Sequence, residues 1–313
     1  MQLKNKRILA TGFCGFIGNE MTRQVLYKNP SDFAVIDKMS YMSDDTFHKE
    51  NNIPVHKIDI CSDKATKLIA EFKPDIILHM AAESHVDVSI KDPDAFIRAN
   101  VFGTTNLMNA ALKLSNLELF YHCSTDEVLG DKLVGVSLED DPRMASSPYS
   151  ASKASAELFV ESYGRTFGLP YLITRSSNNY GPYQHYEKLI PKVIQNIFAG
   201  RKIPVYTPGS QSRQWIHVGD NCEGIISAIE NYTKNDVFNI GGLEVSINLD
   251  IIKKICRLMN VDSNEFIEYV TDRPGHDTRY CISIDKIKAH TGWAPKISLE
   301  DGLRDTIEWY RLQ

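Results

Sequence analysis

The 313-residue sequence predicts an α/β fold, in which helices cover both faces of a mostly parallel sheet. Short apolar runs alternate with longer amphipathic segments through the first half of the chain, as they do in successive strand–helix–strand units. The short runs are rich in Ile, Leu, Val and Phe, as expected of strands that are buried on both faces. Together these observations predict a Rossmann-type doubly wound parallel sheet.

The alternating elements occupy residues 1–175 in chain order. The predicted strands are Arg7–Thr11, Phe33–Ile36, Val55–Lys57, Ile76–Met80, Leu117–Ser124 and Tyr171–Arg175. The predicted helices are Ile17–Tyr27, Asp63–Glu71, Pro93–Leu114 and Tyr149–Phe167. Pro93 suits the first turn of its helix, where a backbone N–H is not needed.

Beyond Arg175 the alternation gives way to segments punctuated by proline and glycine. Helices are predicted there at Glu187–Ala199, Asp220–Glu230, Ile247–Met259 and Leu299–Tyr310. The sequence contains no repeat, low-complexity segment or flexible linker. We therefore expect residues 176–313 to form a smaller α/β region that packs against the sheet and leaves a cleft, with some segments returning to the sheet.

Composition excludes several classes of protein. The 35 basic and 40 acidic side chains give a net charge of −5 without a basic tract, whereas nucleic acids and anionic membranes select clustered Lys and Arg. No apolar run reaches the roughly 20 residues that span a bilayer. The cysteines and histidines show no CxxC pair and no metal-ligand spacing. We expect a cytoplasmic protein with reduced thiols, no metal, no nucleic-acid partner and no membrane partner.

The turn between the first strand and the first helix has the glycine spacing of a dinucleotide-binding loop, at Gly12, Gly15 and Gly18. Such glycines let the backbone turn tightly and approach a pyrophosphate, whose charge the helix N-terminus meets. Asp37 follows the second strand, where a carboxylate binds ribose hydroxyls and repels a 2′-phosphate. The pattern predicts NAD as the cofactor and favours it over NADP, although Lys38 acts against that preference.

Tyr149 and Lys153 lie four residues apart at the start of a predicted helix, so both project from one face. A nearby ammonium stabilises a phenolate and lowers the pKa of tyrosine, which makes the tyrosine a usable base at neutral pH. Taken alone, the pair could equally be a solvated helical pair. Downstream of a dinucleotide-binding loop, it predicts a catalytic base and its activator.

Thr125, Asp126 and Glu127 follow the fifth predicted strand, at the edge where open α/β sheets bind their ligands. The pKa values of two adjacent carboxyl groups can be pushed apart, which gives one acid and one base. The alternative is a capping cluster, since Ser, Thr and Asp also favour such turns.

The glycine loop and the Tyr149–Lys153 pair together resemble the extended short-chain dehydrogenase/reductase family. Further runs resemble its dTDP-glucose 4,6-dehydratase group, at residues 79–87, 124–128, 177–184, 187–191 and 272–277. The resemblance extends from about residue 6 to residue 310, and its most specific element is Thr125-Asp126-Glu127. It assigns residues 1–175 to NAD binding and residues 176–313 mainly to nucleotide-sugar binding.

The resemblance implies a nucleotide-sugar 4,6-dehydratase that acts on a dTDP- or UDP-hexose, either of the glucose type or UDP-N-acetylglucosamine. Tyr149, aided by Thr125 and Lys153, would remove the O4 proton while NAD⁺ accepts the C4 hydride. Glu127 would then take the C5 proton, Asp126 would protonate the departing C6 hydroxyl, and the hydride would return to C6. The helices 93–114 and 149–167 would pair across a two-fold axis in a homodimer.

The resemblance also implies two sets of contact residues. The cofactor contacts are Gly12, Gly15, Phe16, Ile17, Gly18, Asp37, Lys38, Asp59, Ile60, Ala81, Ala82, Tyr149, Lys153 and Asn179. The substrate contacts are Ser84, Thr125, Asn178, Lys188, Arg213, Asn248, Asp272, Arg273 and His276. Arg213 is chemically apt, because a guanidinium binds a diphosphate through two parallel hydrogen bonds.

Three residues depart from the pattern of the group. Leu129 replaces a tyrosine, Val88 replaces an arginine and Gln214 replaces an aspartate. None of them would carry a proton, but all lie in segments that shape the cleft, so the nucleotide and the sugar stay open.

Two other functions fit part of the pattern. A nucleotide-sugar 4-epimerase would share the glycine loop, Tyr149 and Lys153, but it would not need Asp126 and Glu127 as an acid and a base. A non-catalytic NAD-binding regulator would need none of the proton carriers, and their presence argues against it.

Overall fold

A computed structural model of the chain describes residues 1–272 and 275–313, and it confirms the doubly wound α/β fold. Within these residues, seven parallel strands form the central sheet in the order β10-β6-β5-β4-β1-β2-β3. The strands of the chain are β1 Arg7–Thr11, β2 Asp32–Asp37, β3 Val55–Lys57, β4 Ile76–His79, β5 Leu119–Thr125, β6 Tyr171–Ser176, β7 Asn178–Tyr180, β8 Ile203–Tyr206, β9 Ser212–His217, β10 Asp236–Ile240, β11 Glu244–Ile247 and β12 Ile267–Val270.

The strand order shows at which edge of the sheet a ligand-binding crevice forms. The strands β2 and β3 lie on one side of β1, and β4, β5 and β6 follow on the other side. The connections after β1 and β4 therefore leave in opposite directions, and a crevice opens at the carboxyl ends of these two strands. All six strands predicted in residues 1–175 form, each within two residues of its predicted ends.

Helices cover both faces of the sheet. They are α1 Phe16–Leu26, α2 Thr46–Glu50, α3 Asp63–Phe72, α4 Val86–Lys91, α5 Pro93–Phe96, α6 Gly103–Ala111, α7 Pro148–Phe167, α8 Leu189–Phe198, α9 Val218–Glu230, α10 Asn248–Leu258, α11 Ser263–Phe266, α12 Asp285–Thr291 and α13 Leu299–Arg311. Because side chains alternate along a strand, Ile8 and Val35 face the core under α1 and α9, whereas Leu9 and Ile36 face the core under α3 and α7. Among the described residues, no helix is both long enough and apolar enough to cross a membrane.

The prediction of one continuous helix over Pro93–Leu114 is wrong. A π-helix, Ile97–Phe102, separates α5 from α6. The side-chain amide of the buried Asn100 lies at its centre. Its Oδ1 accepts a hydrogen bond from Glu83 N, at 2.8 Å, and its Nδ2 donates to the Glu83 carbonyl oxygen, at 3.0 Å, and to Ser152 Oγ of α7, at 2.9 Å. The wider helical turn thus occurs where these hydrogen bonds connect the π-helix to α7 and to the segment after β4. The spacing of apolar residues does not reveal such hydrogen bonds, so the sequence did not predict the π-helix.

The second region has its own apolar core, enclosed by α8, α10 and α13. It carries the three-stranded sheet β11-β9-β7 and the pair β12-β8, while β10 joins the central sheet beside β6. The sequence did not indicate these short strands, since glycine, proline and polar residues interrupt their apolar pattern. The division of the chain at residue 175 stays a prediction.

Candidate active site

A cleft of about 450 Å³ opens at the carboxyl ends of the central strands. Its lining includes every residue predicted to contact the cofactor, from Gly12 in the first loop to Asn179 in β7. It also includes the predicted proton carriers Thr125, Asp126 and Glu127. The structure therefore brings together in one cavity two sets of residues that were singled out for different reasons.

The glycine loop forms the floor of this cleft. Gly12 has φ +75°, and a Cβ there would lie 2.5 Å from the backbone of Ala81, so only glycine allows β1 and β4 to continue this close together. Gly15 differs, because a Cβ at this position would meet only the Gly12 carbonyl oxygen, at 3.3 Å, among the described atoms. It thus keeps the N-terminus of α1 clear of a side chain. The first turn of α1 carries no acidic residue and no side-chain cap in the described structure, which leaves N–H groups for an anion.

Asp37 lies at the end of β2 with its carboxylate held in place. Its Oδ2 accepts a hydrogen bond from Cys14 N, at 3.1 Å, and its Oδ1 accepts from Met39 N, at 2.8 Å, and Ser43 Oγ, at 3.0 Å. The adjacent Lys38 forms an ion pair with Glu83. Since this pair offsets the charge of Lys38, the ammonium contributes less attraction for a 2′-phosphate than its position in the sequence suggests.

Buried polar atoms without a hydrogen-bond partner in the described structure are concentrated at the same cleft. They include Ser176 Oγ, Ser177 Oγ, Asn178 Oδ1, Asn179 Oδ1 and Asp126 Oδ2. Buried polar groups in folded proteins are nearly always paired, so a cluster of exceptions fits a site that hydrogen-bonds a polar ligand.

The helix that carries Tyr149 and Lys153 begins at a defined point. Ser147 and Ser150 form a capping box, and Pro148 occupies the first helical position, so Tyr149 lies in the first turn of α7. The Lys153 Nζ donates a hydrogen bond of 2.6 Å to the Cys123 carbonyl oxygen at the end of β5. Both side chains are buried and line the cleft.

In the described structure the pKa of Tyr149 is not lowered, although Lys153 lies on the same face of α7. Burial and the negative charge of Glu127 raise the pKa of Tyr149 well above its ordinary value, and a hydrogen bond with Thr125 opposes them only in part. Burial also lowers the pKa of Lys153. The spacing places the two residues on one face, but it does not reveal that the ammonium is directed to a carbonyl oxygen of β5.

Thr125 caps a 3₁₀ turn, Asp126–Leu129, that directly follows β5. Its Oγ1 accepts a hydrogen bond from Glu127 N, at 3.3 Å, and donates one of 3.2 Å to Asp126 Oδ1. The capping role weighed from the sequence is therefore present. It does not explain the carboxyl group of Asp126, which is 3% exposed.

Asp126 has the ionisation behaviour of a proton donor. Burial, and then the negative charge of Glu127, raise its pKa to about 8, although the charge of Arg213 and the bond from Thr125 act in the opposite direction. A carboxyl group with this pKa is mostly protonated at pH 7. Asp126 is buried whereas Glu127 is only partly buried, so the two neighbouring carboxyl groups have different environments, as expected where one serves as an acid and the other as a base.

The residues predicted to contact substrate fall into two groups. Ser84, Asn178 and Lys188 line the cleft, and Lys188 Nζ donates a hydrogen bond of 3.2 Å to the Ser84 carbonyl oxygen. Arg213, on β9, donates to the carbonyl oxygens of Ser212 and Asp277, at 2.8 and 2.9 Å. Its charge acts on Asp126, which places the guanidinium near the carboxyl pair.

The remaining predicted substrate contacts surround Gln211. Asp272 Oδ2 accepts a hydrogen bond of 2.7 Å from Gln211 Nε2, and its Oδ1 lies 2.7 Å from His276 Nδ1. Asn248 N donates a hydrogen bond of 2.8 Å to the Gln211 carbonyl oxygen. The predicted contact Arg273 lies outside the described residues.

The three departures from the group pattern have structural roles or exposed positions. Leu129 packs in a small apolar cluster with Val128 and Ala154. The Gln214 amide donates to the Gly242 carbonyl oxygen, at 2.8 Å, and accepts from Ile282 N, at 3.0 Å. Val88 lies partly exposed on α4.

The structure adds residues that the sequence did not indicate. Tyr41, in the loop after β2, donates a hydrogen bond of 3.0 Å to Glu187 Oε2, in the segment before α8, and its ring lies edge-on against His185. His185 and Gln184 line the cleft, so this contact joins loops from the two regions beside it. The partners are 146 residues apart in sequence, and neither loop carries an apolar period that would have linked them.

Among the described residues, no group of three or more His, Cys, Asp or Glu side chains is placed to hold a metal ion.

Comparison with known proteins agrees with this geometry. The family model described as GDP-mannose 4,6 dehydratase matches residues 9–306. A dTDP-glucose 4,6-dehydratase of Salmonella typhimurium is 40% identical over 334 residues, which cover 97% of this chain and 92% of that protein.

Solved structures give the same relationship. The crystal structure of DesIV, a dTDP-glucose 4,6-dehydratase from Streptomyces venezuelae with NAD bound, superposes with a TM-score of 0.92 at 36% identity over 97% of each chain. A UDP-glucose 4-epimerase of Thermus thermophilus in complex with NAD has a TM-score of 0.89 at 26% identity, over 97% of this chain and 98% of the epimerase. The fold is thus shared with epimerases, while the sequence is more similar to dehydratases.

Proposed function

We infer that this chain, which belongs to the GDP-mannose 4,6-dehydratase family, is an NAD-dependent nucleotide-sugar 4,6-dehydratase. The observation that carries this conclusion is the buried Asp126 carboxyl group beside Glu127, in the cleft that Tyr149 also lines. A 4-epimerase has no use for this acid and base, because it removes no water. We propose a dTDP-hexose of the glucose type as the substrate, since the dehydratase relatives, at 40% and 36% identity, are named for dTDP-glucose.

The cleft fits NAD. The open backbone at Gly15 and the uncapped N-terminus of α1 suit a pyrophosphate. The fixed carboxylate of Asp37 suits the hydroxyl groups of a ribose. The polar atoms of residues 176–179 that have no partner in the described structure suit the polar substituent of the nicotinamide ring. NAD, when bound, supplies the acceptor and donor of a hydride and, in its oxidised form, a positive charge.

We propose that Tyr149 Oη takes the proton from O4 of the sugar. Its raised pKa means that the phenol is neutral in the described structure, so it must first lose its own proton to solvent, and positive charge nearby is needed to stabilise the phenolate that acts as the base. Lys153, held against the end of β5, supplies part of that charge, and Thr125 supplies a hydrogen bond. These residues account for the oxidation half of the reaction.

We propose that the carboxyl pair performs the elimination. Once C4 is a ketone, the C5 hydrogen is acidic, and Glu127 takes it as a proton. Asp126, protonated at neutral pH, gives its proton to the C6 hydroxyl group, which leaves as water. The positive charge of Arg213 acts to lower the pKa of Asp126, so it would stabilise the Asp126 carboxylate after transfer, and we propose that Arg213 also contacts the substrate diphosphate.

The pH dependence of the reaction should report on Asp126. Because only the protonated carboxyl group donates, elimination should fall as the pH rises through the pKa of Asp126 at about 8. A kcat profile of the wild-type protein is expected to show this alkaline decline. Asp126→Asn, whose amide does not titrate, should be slow throughout and should lose that limb of the profile. An unchanged limb in the variant would assign the titration to another group.

We also propose that the protein is cytoplasmic and forms a homodimer through α7 and the π-helix Ile97–Phe102. These two elements pack side by side, and they expose Ile97, Phe102, Leu158 and Phe159 at their outer faces, each by more than 40%. Exposed apolar residues grouped on adjacent helices are typical of a surface that another chain covers.

The six cysteines, all in described positions, are free thiols, as a reducing compartment requires.

Sedimentation tests the dimer. The wild-type protein should sediment as a dimer, and Leu158→Lys should shift it toward monomer. Val134→Lys is the matched control, because Val134 is a still more exposed apolar residue outside these helices. A monomeric wild-type protein, or the same shift in both variants, would contradict the proposed interface.

A further inference from the structure

One buried and one partly exposed guanidinium group meet a buried carboxylate behind the cleft, at a point that the proposed chemistry does not use. Glu157, on α7, accepts hydrogen bonds from Arg175 Nε at 3.0 and 3.2 Å and from Arg175 Nη2 at 2.8 Å. Arg143 Nε donates to Glu157 Oε2 at 2.7 Å. Glu157 is completely buried and Arg175 is 1% exposed. We call Arg143, Glu157 and Arg175 the buried hub.

The buried hub joins the two segments that carry the predicted proton carriers, which are α7 and the turn after β5, and a third segment that contains Arg143. Glu157 lies one helical turn beyond Lys153 and two turns beyond Tyr149, on the same face of α7. Arg175 is on β6 and is the register partner of Ser124 on β5, the residue that precedes Thr125. One carboxylate thus ties the helix that carries the base to the strands that carry the 3₁₀ turn.

Arg143 connects the third segment. The residue after it, Met144, donates a backbone hydrogen bond of 3.0 Å to the Val128 carbonyl oxygen within the turn Asp126–Leu129. Arg175 Nη1 also donates to the Glu139 carbonyl oxygen, at 2.8 Å, in the segment that leads to Arg143. The buried hub therefore supports the turn from behind as well as the helix opposite it.

The ionisation of the buried hub agrees with a permanent ion pair. Burial acts to raise the pKa of Glu157, but the hydrogen bonds and charge of Arg175 hold it below its ordinary value. The negative charge of Glu157 in turn raises the pKa of Lys153 and offsets part of the effect of burial there. Since a buried ion pair contributes little net stability compared with apolar side chains of the same size, its position calls for another explanation.

We propose that Glu157 is a positioning residue for catalysis, which fixes the Tyr149–Lys153 pair relative to the Thr125–Glu127 turn. This inference rests on the proposed function, because it concerns the geometry of those proton carriers. A displacement of about 1 Å between reacting groups can lower a rate about 100-fold without weakening binding. The buried hub should therefore act on kcat and not on the affinity for the nucleotide.

The test compares Glu157→Gln with Glu161→Gln. Glu161 is the matched control, because it lies one turn further along α7 and pairs with the same Arg143 at the edge of the buried hub. For Glu157→Gln we expect kcat with dTDP-glucose to fall about 10- to 100-fold, with KM and the calorimetric Kd for dTDP unchanged. For Glu161→Gln we expect less than a twofold change in any of them.

A second variant covers the case in which Glu157→Gln does not fold, since that change leaves the Arg175 charge buried without its partner. Arg175→Lys keeps the positive charge but cannot make the paired hydrogen bonds, so it should fold and show a smaller loss of kcat with an unchanged Kd for dTDP. Equal kcat losses in Glu157→Gln and Glu161→Gln, or an unchanged kcat in Arg175→Lys, would overturn the proposal. Failure of the wild-type protein to convert any nucleotide sugar would instead contradict the proposed function.

Discussion

Replacing Tyr149 by phenylalanine is expected to lower kcat by about 10²- to 10⁴-fold, the range that a general base contributes. The variant keeps the buried ring at the start of α7 and removes only the hydroxyl group that would accept the O4 proton. Oxidation at C4 should fail, so every later step fails with it. The measurement is turnover of dTDP-glucose together with the Kd for dTDP, which should stay within about twofold of wild type because the ring still packs against Phe96.

Tyr163→Phe provides the control for this effect. Tyr163 lies on the same helix, and its hydroxyl donates a hydrogen bond of 2.9 Å to Asn109 Oδ1 away from the cleft. Its loss should leave turnover within about twofold of wild type, since only an exposed hydrogen bond is removed. If Tyr149→Phe turned over as fast as Tyr163→Phe, Tyr149 would not be the base.

Replacing Glu127 by glutamine should stop the reaction after oxidation. The amide keeps the shape of the side chain but cannot take the C5 proton, so exchange of solvent deuterium into C5 and loss of water should both slow by about 100-fold or more. Oxidation at C4 should persist. Quenching with borodeuteride, which labels carbon at a ketone, should still place deuterium at C4 of the sugar.

The variant Asp126→Asn distinguishes the role of Asp126 from the role of Glu127. With the base still present, exchange at C5 should continue, whereas departure of the C6 hydroxyl group should slow because its proton donor is gone. Nuclear magnetic resonance of the sugar distinguishes the two patterns. Normal product formation in Glu127→Gln would exclude it as the base, and normal formation in both variants would leave the segment only its observed capping role.

Several residues that line the cleft were predictable because they follow strands of the central sheet. Once the strands were identified from their apolar runs, the parallel topology required Gly12, Asp37 and Thr125 to meet at one edge. A separate argument, the four-residue spacing in a helix, placed Tyr149 and Lys153 on one face of α7. Local pattern and overall topology agree at these positions, so sequence alone was sufficient.

Other features depend on contacts that no local pattern encodes. The raised pKa of Tyr149 follows from burial and from Glu127, two properties of the folded cleft. The contact between Tyr41 and Glu187 joins residues 146 positions apart. The π-helix replaces a predicted α-helical turn where Asn100 is anchored to neighbouring segments. In each case a tertiary interaction determines the observed feature, and helical or strand periodicity in the sequence does not reveal that interaction.

The proposed elimination is tested most directly by the structure of the sugar nucleotide recovered after incubation with the purified protein, determined from its mass and its nuclear magnetic resonance spectrum. With dTDP-glucose in deuterated water, the account predicts a product that has lost one water and carries deuterium at C5, with UDP-glucose as a parallel arm that identifies the nucleotide. A product of unchanged mass with inverted configuration at C4, from either sugar nucleotide, would show an epimerase and contradict the roles assigned to Asp126 and Glu127.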